Sequence, residues 1–178
     1  MTHFSLSSMV SSLCQKPAVG LASAVWLVLA GGTTLLSVDA LAEANRVTFP
    51  DLDKLIHFTT VRRGNAVEHM LTTREAIDAA KKGQPFPNGT HFVLVDHRDG
   101  KLSRYFVMQK GAGWGQDYET RRRTDDWQFQ WFLTDQKSIN PSENTARCQS
   151  CHEPRRDNEF LFTFNDLRSF DPARPPSK

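Results

Sequence analysis

Cys148, Cys151 and His152 stand in the order C-x-x-C-H, within Cys148-Gln149-Ser150-Cys151-His152. Two thiols three residues apart on a helical turn face the same way. Each can add to one vinyl group along an edge of a porphyrin, which makes two thioethers. The histidine that follows can swing its imidazole under the iron. This pattern is the attachment signal of c-type haem. It assigns Cys148 and Cys151 to covalent attachment of one haem c, and His152 to the iron. Other uses of paired cysteines fit less well. A structural zinc site needs four ligands, usually from two cysteine pairs, and outside Cys14 the chain has only these two cysteines. A thioredoxin-like C-x-x-C sits early in a βαβ unit, whereas this motif lies near the C-terminus. A plain disulfide leaves His152 unexplained.

The opposite face of the iron is less defined. Electron-transfer cytochromes commonly place Met across from His. Here Met70 and Met108 both precede the motif and no Met follows it. Ordinary small cytochromes c place the motif early and the Met late, in an all-helical chain. His57, His69, His91 and His97 are further candidates, none favoured by its spacing. Glu68, His69 and Arg104 could supply a polar group near a bound ligand.

These residues need a scaffold, and the rest of the chain predicts one. The 178 residues carry a formal net charge of +2, too small to imply nucleic acid. Residues 1–42 hold a base, Lys16, an apolar run over 18–36, and A-x-A sites ending at Ala42 and Ala44. That order predicts a secretory signal peptide, with an uncleaved membrane anchor over 18–36 as the alternative. Residues 43–178 then form one haem-binding domain. A short helix is expected over 50–56, and strands over 57–62 and 66–71. A helix over 73–82 would be capped by Thr72 with Glu75 and ended by Gly83. Residues 90–97 and 102–109 read as a hairpin across Asp99-Gly100, presenting Phe92, Leu94, Phe106 and Met108. Residues 111–115 read as loop, and Arg121, Arg122 and Arg123 as a solvated turn. Trp127, Phe129, Trp131 and Leu133 alternate with Gln128, Gln130 and Phe132, which predicts a strand with one apolar face. Asn140, Pro141 and Glu143 carry the start signals of the helix that bears the motif. Residues 160–164 read as extended and 171–178 as a disordered tail. The fold class is α+β and mainly β: an antiparallel sheet with two or three short helices and a C-terminal C-x-x-C-H helix.

A late C-x-x-C-H on a β-rich body resembles the cytochrome P-460 family, which includes cytochrome c-prime-beta. Similar stretches are HFTTVRRGNAVEHM, KKGQPFPNGT, YFVMQKGAGWG, WQFQWF, ENTARCQSCHEP and FLFTFNDLRSF, which together span nearly all of residues 50–170. The resemblance implies a mainly antiparallel β fold, a five-coordinate haem iron and a bacterial periplasmic location. It also implies thioethers at Cys148 and Cys151 and a proximal His152. Hydroxylamine-oxidising members carry a lysine cross-linked to the porphyrin. In register with Pro87-Asn88-Gly89-Thr90, that position is Leu94, and a distal arginine of those members falls near Glu68. The departure at Leu94 points away from hydroxylamine oxidation and toward an apolar pocket, including Phe92, for NO or a related small ligand. Lys110 is the one lysine nearby that could replace the missing nucleophile. The alternatives are a haem oxidoreductase acting on hydroxylamine or peroxide, and an electron carrier with a redox partner protein. Exposed edge strands would favour a homodimer.

Overall fold

The computed structural model describes residues 45–140 and 144–176. The signal or anchor expected over 1–42 therefore lies outside the described residues. No helix among the described residues is long and apolar enough to cross a membrane.

Five strands form one antiparallel sheet in sequence order: β1 (Ile56–Arg63), β2 (Ala66–Thr72), β3 (His91–Arg98), β4 (Lys101–Lys110) and β5 (Trp127–Phe132). Tight turns set this simple meander. Gly64 at φ 57° closes β1–β2, and Asp99 with Gly100 (φ 49° and 74°) closes β3–β4. Two consecutive left-handed residues match the twist of a hairpin. Between β2 and β3 the chain forms α1 (Arg74–Lys82), which Gly83 ends in the left-handed region at φ 62°. After β5 come α2 (Thr145–His152) and α3 (Phe164–Ser169). The expected class, mainly antiparallel β with two or three short helices, is the observed one, with three among the described residues.

Residues that pair across the strands share a face, because alternate side chains point to opposite sides. One rung of the first face joins Thr72, Phe92, Met108 and Phe129. The next joins Met70, Leu94, Phe106 and Trp131, and the third joins Glu68, Asp96 and Arg104. Ala76, Ile77, Ala79 and Ala80 of α1 pack with Phe86, Phe160, Leu161, Leu167 and Phe170 into a core with Phe92, Met108, Trp127 and Phe129. The second face carries Val93, Tyr105, Val107 and Phe132, packed with Val47, Phe49, Leu52 and Leu55 of the leading segment.

Several local expectations shift. The helix expected over 50–56 is only the 3₁₀ turn Leu52–Lys54. The cap of α1 is Thr73, whose hydroxyl accepts from Ala76 N–H. Thr72 instead ends β2, fully buried, and donates to the His91 carbonyl at 2.7 Å. The loop at 111–115 leads into the 3₁₀ turn Trp114–Asp117. Strand β5 is buried on both faces, and Leu133 lies beyond it, 40% exposed. Its Gln128 is inside because it replaces a strand partner for the leading segment, while Gln130 Nε2 donates to the Trp131 carbonyl at 3.2 Å. Gln128 Oε1 accepts from Arg46 N–H, as Gln109 Oε1 of β4 does from Thr48 N–H, each at 2.9 Å. Pro141 and Glu143 lie outside the described residues, and the cap of α2 is Asn144, which accepts from Ala146 N–H at 2.9 Å. Residues 160–164 form no strand: Glu159 and Phe160 are left-handed (φ 52° and 61°), and the chain turns straight into α3. In the tail, Arg174 N–H closes a turn on the Asp171 carbonyl at 2.9 Å.

Candidate functional site

Helix α2 carries Cys148, Cys151 and His152 on two turns. Neither cysteine is in a disulfide; Cys148 is half-buried against the first-face core and Cys151 is exposed. Gln149, between them in sequence, is 1% exposed, and its Oε1 accepts from Arg122 Nε at 3.0 Å. The arginine triplet is therefore not only a solvated turn. Arg122 fastens the motif helix to the 3₁₀ turn Thr120–Arg122, and Arg123 Nε donates to the Tyr118 carbonyl at 3.0 Å. Arg121 alone behaves as expected, exposed and paired with Glu119.

His152 is fixed from three sides. Its Nδ1 lies 2.6 Å from the Phe160 carbonyl oxygen. A carbonyl only accepts, so Nδ1 carries the proton and Nε2 carries the lone pair. The ring packs on Phe129, with centroids 4.8 Å apart, and edge-on to Phe162 at 5.2 Å. Burial holds its pKa below the usual 6.5, against a smaller upward pull from the Phe160 bond. The imidazole is thus neutral at pH 7, the form that binds metals, and its outward nitrogen is set by a bond at the other.

These features fit a c-type haem. Two thiols one turn apart and a neutral imidazole with Nε2 available form the required donor set. Phe162, 53% exposed beside His152, offers an apolar surface for a flat macrocycle. Among the described residues, no cluster of three or more His, Cys, Asp or Glu could hold a metal ion alone.

The face on which His152 packs also carries Leu94. On its rung Phe106 and Trp131 pack with tilted rings, centroids 5.7 Å apart, and the Trp131 Nε1 is buried with no hydrogen-bond partner among the described residues. Phe92 is one rung away, 7% exposed, inside the core with Phe86 and Trp127. Glu68 lies one rung to the other side. It is 4% exposed and bound by Arg63 and by Arg98. Beside it the fully buried Asp96 receives Arg98 Nε and Arg104 Nε, each at 2.9 Å. The Arg104 guanidinium lies over the Trp131 and Phe106 rings, 4.5 and 4.9 Å from their centroids.

Other candidates separate by face. His69 stacks edge-on between His57 and His97 on the second face, so it cannot serve the side where His152 packs. His91 also belongs to the second face by register. Met70 and Met108 share the face of Leu94, Met108 being buried in the core. Lys110 is 7% exposed, with Nζ bound to Glu159 at 3.1 Å and 5.5 Å above the Trp127 ring. From the sequence, Glu153 or a backbone carbonyl is the expected acceptor for the second ring nitrogen of His152; it is the Phe160 carbonyl, while Glu153 pairs with Arg156. Sequence reasoning missed Asp96 and Gln149. Only the alternation of β3 could have pointed to Asp96, which shares a face with Leu94.

An open groove of about 500 Å³ between β1 and α3, lined by Phe58, Phe170 and Arg174 among others, contains none of the motif residues. The family model described as Cytochrome P460 matches residues 49–163, which span all five strands and the C-x-x-C-H. The search of curated proteins found no match.

Proposed function

We propose, from the premise that the chain belongs to the cytochrome P460 family and is therefore a haem cytochrome, that it is a periplasmic mono-haem protein that binds NO or a related small ligand at a five-coordinate iron. In this reading Cys148 and Cys151 form the thioethers, and His152 Nε2 is the proximal ligand. The observation that carries the reading is the His152 bond to the Phe160 carbonyl, which leaves one nitrogen for a metal in an otherwise apolar setting.

Bound haem supplies an iron with an open position for a small neutral ligand. The chain's own residues set what can approach it. Leu94 has no nucleophilic or ionisable atom, and its rung mates Met70, Phe106 and Trp131 are largely apolar. Such a wall favours a neutral diatomic over a charged substrate, because a charge moved into apolar surroundings loses its hydration. Thioether formation takes place outside the cytoplasm, which supports the periplasmic assignment. A second reading, a haem oxidoreductase acting on hydroxylamine or peroxide, draws on Arg104 alone. Its guanidinium reaches over the Leu94 rung and could polarise a bound ligand.

The optical spectrum of the ferric and ferrous holoprotein, with and without NO, tests the proposal. A high-spin ferrous spectrum that converts to a nitrosyl form supports it. A low-spin six-coordinate ferrous spectrum, lost on Met70→Ala, would replace it with the electron-carrier reading. Cys148→Ala with Cys151→Ala is expected to release haem on acid–acetone extraction, and full retention would refute covalent attachment.

A further inference from the structure

We infer that Lys110 is a positioning residue for the proximal histidine, acting through Glu159 and the Phe160 carbonyl; this rests on the reading of His152 as the iron ligand. The acceptor of the His152 proton sits on an unusual piece of backbone. Glu159 and Phe160 are consecutive non-glycine residues in the left-handed region, at φ 52° and 61°. Each such residue is disfavoured, because Cβ crowds the following carbonyl. The turn persists only if its surroundings over-determine it.

Three kinds of contact do so. Glu159 N–H donates to the Arg156 carbonyl at 3.1 Å and Phe160 N–H to the Arg155 carbonyl at 2.8 Å. The Phe160 side chain is 3% exposed in the core, under the Arg156 guanidinium at 5.0 Å. The third contact is long-range: Lys110 Nζ binds Glu159 Oε2 at 3.1 Å. Lys110 is a rigid anchor. It ends the ten-residue β4, its N–H donates to the Thr90 carbonyl at 3.0 Å, and its carbonyl accepts from Gly89 N–H at 2.7 Å. A lysine this deeply buried needs a partner, and Glu159 is its ion-pair partner. The sheet thus grips the left-handed turn one residue before the carbonyl that orients His152. A shorter bond at Nδ1 makes the imidazole a stronger electron donor to iron, which favours the ferric state. Weakening the grip lets the turn relax and the bond lengthen, and the ferric preference falls.

The test is the one-electron midpoint potential of the holoprotein and of Lys110→Met, Glu159→Gln, their double variant and Lys110→Arg. Simple charge effects move the two single variants oppositely. Removing a cation favours the ferric state and removing an anion favours the ferrous state. Positioning moves both upward, by about tenfold in the ferric-to-ferrous balance, or about 59 mV. The double variant moves no further than either single one, because each breaks the same grip. Lys110→Arg keeps the cation and stays close to the parent. Opposite shifts, or none in variants with full haem content, overturn the inference. If Lys110→Met fails to load haem, Lys110→Gln takes its place: an upward shift on losing the cation runs against the simple charge effect and supports positioning, and a downward shift or none overturns the inference. A parent protein without covalent haem, or a spectrum unchanged by His152→Ala, refutes the underlying reading instead.

Discussion

Gln149 allows a quantitative test of how the C-x-x-C-H helix is fastened. Its Oε1 accepts from Arg122 Nε, while its Nε2 is buried with no hydrogen-bond partner among the described residues. The two halves of one amide therefore oppose each other. A hydrogen bond to a charged group contributes about 1.5–3 kcal/mol, and an unmet buried donor costs about 1–3 kcal/mol. Arg122 is partly exposed, which favours the lower end of the first range. Gln149→Leu removes both terms together, so its net cost is expected to be under about 1 kcal/mol. Arg122→Ala removes the donor and leaves the whole amide buried and unmet, for about 2–3 kcal/mol. In the Gln149→Leu background, Arg122→Ala costs only what its other contacts contribute, including the Tyr118 ring 5.4 Å away. Urea midpoints of the four holoproteins measure this cycle. With slopes of about 1–3 kcal/mol per molar urea, a 2 kcal/mol loss moves the midpoint by roughly 1 M. Equal costs of Arg122→Ala in both backgrounds would refute the argument. So would a Gln149→Leu protein as damaged as Arg122→Ala.

The identity of the α1 cap can be checked directly. Thr73→Ala is expected to cost about 1 kcal/mol, a fall of about 2–4 °C in Tm, while Thr73→Ser keeps the parent value. His91 gives a pH dependence. Burial is the main cause that lowers its pKa from 6.5, opposed by the Gly89 and Thr48 backbone and the Gln109 side chain. Below pH 6.5 the unfolded chain then binds the proton more readily than the folded one, so stability falls as pH drops toward the folded pKa. Urea midpoints at pH 7.5 and 5.0 should fall less steeply in His91→Gln than in the parent, and parallel losses would assign the pH dependence to other groups.

The meander was legible because its turns announce themselves. Gly64, Gly83 and Asp99-Gly100 stand where the chain needs positive φ, and few other residues take that conformation at low cost. The helix starts were harder to place. Thr72 and Thr73 are chemically equivalent as caps, and only the pairing of Thr72 with Phe92 in the sheet decides between them. Residues 160–164 have the aromatic, β-branched composition of a strand. The left-handed pair Glu159–Phe160 overrides that propensity, because Phe160 and Leu161 are drawn into the core beneath α1 and α3. The motif stands out by spacing alone, and its three residues lie on α2. An acceptor for His152, either Glu153 or a backbone carbonyl, was expected, but not which carbonyl, since a backbone acceptor leaves no trace in residue identity. Lys110 was visible only as a spare amine; its partner lies 49 residues away along the chain.

In the proposed reading, register also bears on what a ligand beside Leu94 would meet. The face on which His152 packs changes character from rung to rung. Phe92, Met108 and Phe129 form an apolar row, Met70, Leu94, Phe106 and Trp131 the next, and Glu68, Asp96 and Arg104 a charged row. Two residues along a strand advance about 6.6–6.8 Å, so the buried carboxylates of the third row stand a full period from Leu94. They are also engaged: Asp96 by Arg98 and Arg104, and Glu68 by Arg63 and Arg98. A carboxylate held this way is poorly placed to take a proton from a ligand on the neighbouring row. Arg104 bridges the gap, with Nε held on Asp96 and its guanidinium plane over the two rings beside Leu94. It can donate hydrogen bonds, yet it cannot act as a base, because guanidinium stays protonated. Among the described residues of these rows, a ligand near Leu94 would meet apolar contact and one cationic donor, the two carboxylates being held in ion pairs. Under the proposed function, that combination would suit binding and polarising a small nitrogen oxide better than stripping protons from hydroxylamine.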